Sequence, residues 1–118
     1  MQKIYADRKY ISLNGDGACF VGYYIDYYIL KSELTVPNAN FSATIYGIEI
    51  EKKYEEGGIE KTLERASVSD IYTSLDKTKS LIKKLSDRLV SPVMLEYVID
   101  DILSENGAEP PKVTLNVG

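Results

Sequence analysis

The chain has no histidine, no tryptophan and a single cysteine in 118 residues. The missing histidine excludes the most. It removes the commonest general base at neutral pH and the commonest metal ligand. The lone cysteine, Cys19, can close no internal disulfide, so the chain is not a disulfide scaffold of the secreted kind. With no histidine beside it, Cys19 cannot supply a typical zinc site either. Basic charge is in deficit: fourteen lysines and arginines stand against eighteen aspartates and glutamates, a net charge of −4. A nucleic-acid partner calls for a basic face, and none is expected. Long apolar runs are missing too. The longest apolar-rich stretch, Phe20 to Leu30, is interrupted by Asp26 and is too short to span a bilayer. No basic, then apolar, leader opens the chain. The expectation from these absences is a cytoplasmic protein that uses no cofactor and no metal and binds neither membrane nor nucleic acid.

What is present is tyrosine: ten residues, against two phenylalanines. The first two-thirds of the chain has the pattern of strands. Lys3 to Leu13 is a weak strand signal, and Asn14-Gly15-Asp16-Gly17 is turn chemistry. Phe20 to Val36 is dense in aromatic and β-branched residues and predicts a long strand with a bulge near Gly22. Val36 to Asn40 reads as a loop. Ala43 to Tyr54 alternates, with Tyr46, Ile48 and Ile50 on one face and Glu49 and Glu51 on the other. Glu55-Glu56-Gly57-Gly58 closes a hairpin onto a less regular strand, Ile59 to Ile71.

The period then changes. Leu75, Leu81, Ile82, Leu85 and Leu89 share one stripe of a helix. Ser91-Pro92 predicts an N-cap followed by proline at the first helical position, opening a second helix from Pro92 to Asn106 with Gly107 as its stop. The first helix is net basic and the second net acidic, with Lys77 and Lys79 at one end and Asp101 and Glu105 at the other. An antiparallel hairpin would lay those ends side by side, so ion pairs between the helices are expected. The fold class expected is α+β: a three- or four-stranded antiparallel meander packed against a C-terminal antiparallel helix pair, in a single domain over 1–107. Residues 108–118, with Pro110-Pro111 and alternating Val113, Leu115 and Val117, read as a tail or a short edge strand.

Several chemistries can be weighed against these residues. The run NGDGACF, 14–20, is similar to the Asp-Gly-x-Cys opening of ovarian-tumour-type cysteine proteases. A cysteine nucleophile needs a base or a helix N-terminus to make its thiolate, and here a strand follows and histidine is missing. The same loop fails as a calcium loop, because Tyr23 occupies the position that requires a bidentate glutamate. No glycine pattern makes a phosphate loop. Asp100 and Asp101 point about 100° apart on a helix and are poor partners for acid–base work. Glu49 and Glu51 share a strand face and could chelate a cation, although a solvated face explains them as well.

Asp26 lies within Tyr23-Tyr24-Ile25-Asp26-Tyr27-Tyr28, on the face shared by Tyr24 and Tyr28, while Tyr23 and Tyr27 lie on the other. A carboxylate framed by tyrosine hydroxyls could hold a small ligand or make a structural hydrogen bond. Helices can cover only one of the two faces, so the other should offer aromatic surface to a protein partner or a second copy. Tyr23, Tyr24, Asp26, Tyr27 and Tyr28 are therefore the candidate interaction or ligand surface.

The segments Tyr46-Gly47-Ile48, Val68-Ser69-Asp70-Ile71 and Val98-Ile99-Asp100-Asp101 resemble a family of small uncharacterised proteins from Firmicutes of the clostridial type. The resemblance covers about half the chain, leaves out NGDGACF and the tail, and implies architecture and a bacterial setting but no activity. The functional expectation is a non-enzymatic protein-interaction or regulatory module. The alternatives are a small-ligand or metabolite binder using the tyrosine-rich strand, and a mobile-element accessory protein that inhibits a host system.

Overall fold

A computed structural model of the chain describes residues 1–13, 21–36, 38 and 41–105. Four strands, β1 (Gln2–Leu13), β2 (Val21–Val36), β3 (Phe41–Glu56) and β4 (Ile59–Tyr72), form one antiparallel sheet in the order β1-β2-β3-β4. Two helices follow, α1 (Leu75–Asp87) and α2 (Leu95–Glu105), with a 3₁₀ turn at Pro92–Met94 between them. This is the expected α+β meander with a helix pair. Among the described residues no helix is long and apolar enough to cross a membrane.

The sheet is regular at its centre and irregular at its edges. β2 and β3 pair without a slip from Tyr24↔Lys53 to Val36↔Phe41. Gly57 and Gly58, with φ of 62° and 81°, form the two-residue turn that joins β3 to β4. Both residues need positive φ, which only glycine adopts freely, and that turn matches the twist of a hairpin. The bulge expected near Gly22 is not there, since pairing runs unbroken through Ser12↔Gly22. It falls instead in β1, where Tyr5 faces Tyr28 and Asp7 faces Tyr27, leaving Ala6 as the extra residue. β4 carries two irregularities, one at Leu63 and one between Val68 and Tyr72, where Asp70 turns through φ 56°.

The core lies between one sheet face and the helices. Ile25, Tyr27 and Ile29 of β2 and Ile48 and Ile50 of β3 meet Leu81, Ile82 and Leu85 of α1 and Leu95, Ile99 and Ile102 of α2. Strand alternation and helical stripe thus close on one apolar layer. The Tyr27 hydroxyl, buried here, donates to the Val90 carbonyl at 2.9 Å and ties β2 to the turn between the helices. Ser74 caps α1, accepting from the Lys77 amide at 3.3 Å. Ser91 makes no side-chain cap, and Pro92 opens the 3₁₀ turn rather than α2. Ion pairs between the helices were the other expectation, and among the described residues none joins α1 to α2. Exposed helix charges gain too little from pairing to direct the packing, which follows the buried stripes. Gly107 and the segment 108–118 lie outside the described residues.

Candidate functional site

The sheet face turned away from the helices carries the candidate site. On β2 the residues pointing that way are Tyr24, Asp26 and Tyr28. Register then decides their neighbours. One rung runs straight across the sheet, Arg8↔Asp26 from β1 to β2, Asp26↔Glu51 to β3, and Glu51↔Arg65 to β4. The flanking rungs put Tyr10 beside Tyr24 and Tyr5 beside Tyr28. The bulge at Ala6 is what makes this possible. It changes the parity of β1, so that Lys3 and Tyr5, with odd numbers, share a face with Arg8 and Tyr10, with even ones.

The central rung places two carboxylates side by side, which destabilises a sheet unless a cation joins them. Lys53 does so, with its ammonium 2.9 Å from Asp26 Oδ2 and 3.2 Å from Glu51 Oε2. Arg8 grips Asp26 with two donors, Nε to Oδ1 at 2.6 Å and Nη2 to Oδ2 at 2.9 Å. The same guanidinium reaches Glu60 of β4 at 2.7 and 3.0 Å, bridging the two edge strands over the two central ones. Lys3 binds Glu51 at 2.7 Å and also pairs with Glu49, whose Oε2 receives that ammonium without a well-angled hydrogen bond. Arg65 Nε donates to Glu51 at 2.8 Å.

Tyrosine rings fill the gaps between charges. The Arg8 guanidinium lies 4.4 Å over the Tyr24 ring, and the Lys3 ammonium 4.3 Å over Tyr28. Tyr10 and Tyr24 are 5.0 Å apart, and Tyr5 meets Tyr28 edge-on at 6.1 Å. Tyr10 lies over Gly22, where a Cβ would fall 2.1 Å from its hydroxyl. Although none of the described helices or strands lies above the face, Asp26 is 1% exposed and Glu51 3%. Long side chains folded over them do the covering.

Burial would raise the carboxyls of Asp26 and Glu51, but their hydrogen bonds to cations outweigh it. Arg8 and Lys53 hold Asp26 below the ordinary carboxylate range, and Lys3 and Lys53 bring Glu51 down to about 2. Asp26 and Glu60 push Arg8 upward, and against the burial of Lys53 its bonds to Tyr28, Asp26 and Glu51 raise it. Asp26 and Glu51 are therefore ionised near neutral pH. The face is close to neutral in formal charge: Lys3, Arg8, Lys53 and Arg65 offset Asp26, Glu49, Glu51 and Glu60.

Of the five expected surface residues, the structure brings Tyr24, Asp26 and Tyr28 together. Tyr23 and Tyr27 belong to the opposite side. Tyr27 is wholly buried in the core, and its hydroxyl is pushed upward by burial and then by Asp7. Tyr23 is half-buried, with Lys52 4.4 Å over its ring. Asp26 is occupied structurally, its oxygens taken by Arg8, Lys53 and, at 3.4 Å, the Tyr28 hydroxyl. Glu49 and Glu51, weighed as a chelating pair, share the Lys3 ammonium instead. Cys19 and the run 14–20 lie outside the described residues. Sequence reading missed Lys3, Tyr5, Arg8 and Tyr10. The alternation of Glu49, Glu51 and Lys53 was a usable signal on β3, whereas the bulge scrambled the signal on β1.

The model of a family of unknown function, DUF6514, matches residues 15–105, and the chain belongs to that family. No curated protein and no solved structure is similar to the chain at a significant level. The matched span includes β2, β3, β4 and both helices, hence Asp26, Glu51 and Lys53, but not β1 with Arg8.

Proposed function

We propose that this member of DUF6514 is a non-enzymatic protein-interaction module of the bacterial cytoplasm, from Firmicutes of the clostridial type, and that the helix-free sheet face is its contact surface. The observation that carries the reading is the face itself, which none of the described helices covers. It displays Tyr5, 60% exposed, and Tyr10, 47% exposed, at the margin of a rigid, charge-neutral ion-pair network. Exposed tyrosine around a preorganised centre suits protein contact, because the rings present area and a polar tip at low entropic cost. The edges of the sheet favour face contact over strand addition. β1 and β4 are bulged and charged, and the Asp7 carboxylate accepts the Arg8 amide of edge strand β1 at 2.8 Å.

Catalysis by the carboxylates has little support, since Asp26 and Glu51 are locked in ion pairs well below the pKa of a working acid or base. A ligand site at Asp26 is likewise poorly supported, because no acceptor there is free. The test compares wild type with Tyr5→Ala/Tyr10→Ala by light scattering and by capture from native-type cells. Wild type should retain a partner or self-associate, and the double variant should weaken that contact by about 2 kcal/mol, roughly thirtyfold, while staying folded with melting lowered by the lost cross-strand ring contacts. A monomer with identical captures for both proteins would remove the proposal.

A further inference from the structure

On the other side of β1, between that strand and α1, lies an open trough of about 540 Å³. Its size is that of a small-molecule site. Its lining is mixed polar and apolar: Ile4 and the bulge residue Ala6 border it, and Ile29 and Ile82, almost wholly buried in the core, close its base. Its rim is charged. Lys9 and Asp7 face each other there at 3.9 Å and largely cancel. Lys79 and Lys83 stand one turn apart on α1, and their side chains contact no described partner. Asp87, one further turn along, is the remaining acid. The trough thus bears one net positive charge in a chain of net charge −4, and that charge sits at its Lys79 end.

We infer that this trough binds an amphipathic monoanion, a carboxylate carrying a single aliphatic chain. Ile4, Ala6 and the methylene stems of the lysines take the chain, and the Lys79 and Lys83 ammonium groups take the head group. A rim with one net positive charge matches a singly charged head group better than a doubly charged phosphate ester. Asp87 repels the head group from the far end and so sets the direction of binding. The bulge at Ala6 bends the edge of β1 at the trough wall, so one insertion serves both faces of the strand: ion pairs on one, a trough on the other. None of its charged rim residues belongs to the ion-pair network, but Tyr5 borders both surfaces, so the lysine variants rather than Tyr5→Ala separate the two readings.

The probe is dodecanoate, titrated below its micelle concentration and followed by calorimetry and backbone amide shifts, with dodecan-1-ol as the neutral control. The expected result is saturable binding of one molecule per chain. Shifts should be centred on Ala6, Ile29 and Ile82, and the alcohol should bind about tenfold more weakly or less. Lys79→Glu/Lys83→Glu should weaken dodecanoate by at least about tenfold, and Lys79→Gln and Lys83→Gln singly by less. Both positions are exposed, so melting should be unchanged. The inference is overturned by the lack of saturable binding or by equal affinity for the alcohol. Full binding by the charge-reversed variant overturns it as well, as do shifts centred elsewhere, such as on the exposed Val93, Met94 and Tyr97.

Discussion

A methyl group at position 47 has nowhere to go. It would stand 2.4 Å from the Val68 carbonyl oxygen and 2.8 Å from the Ser69 Cα, both backbone atoms that cannot swing aside. Tyr46-Gly47-Ile48 and Val68-Ser69-Asp70-Ile71, two separate strings in the sequence, are therefore one contact. β4 gains extra residues between Val68 and Tyr72, Asp70 absorbs the bend at positive φ, and the displaced backbone presses on Gly47. Gly47→Ala should destabilise the protein by about 2 kcal/mol, as overpacking does. It should appear as a lower urea midpoint with an unchanged m-value. Gly47 stood in the sequence only as part of a string carrying the family resemblance, and what it touches was not readable, because pairing across a bulge cannot be counted off residue by residue.

Helix α1 ends in a Schellman motif with an unusual residue in it. The Leu89 amide donates to the Ser86 carbonyl at 3.1 Å and the Val90 amide to the Leu85 carbonyl at 3.0 Å, the two bonds that define the motif. Leu89 occupies its left-handed position with φ 53°, where glycine is usual. Its side chain is 46% exposed and contributes little packing. Leu89→Gly should therefore stabilise the protein by about 1 kcal/mol, measured as a higher denaturation midpoint. At this level prediction succeeded wherever periodicity was uninterrupted. β2, β3 and the middle of α1 were legible because a period of two or 3.6 persists for many residues. Leu75 and Leu89, expected on the buried stripe, are exposed, since they stand at the start of the helix and beyond its end at Asp87. β1 was faint because Ala6 shifts its phase. α2 began three residues later than Ser91-Pro92 suggested, because a proline turn can close as 3₁₀ with no side-chain cap.

Across the whole molecule, the charges sort into two systems. Exposed helix charges are unpaired between helices, while a shielded network binds all four strands on the opposite face. The network gives stability a defined acid limit. Glu51, with an ordinary value near 4.5, sits at about 2 when folded, and Asp26 is also lowered. Between those values the unfolded chain binds more protons than the folded one, so stability falls as pH falls. Their contribution is complete above about pH 4.5 and lost as pH drops towards 2. The thermal midpoint should decline steeply through that window, and Glu51→Gln should be less stable at pH 7 yet show a shallower decline. An equal slope in both proteins would show that Glu51 does not carry the acid limit.

Composition and periodicity alone settled that the chain builds a meander and two helices, because alternation and the helical stripe are local properties. They also placed Asp26 between Tyr24 and Tyr28, since strand parity is local too. Partnership is not local. Arg8 reaches Asp26 only through the register of β1 on β2 after the bulge, and Lys53 joins Asp26 to Glu51 only because β3 lies beside β2. Those contacts turn an acid among tyrosines into a closed structural ion pair. They leave Tyr5 and Tyr10 exposed at the margin of that face.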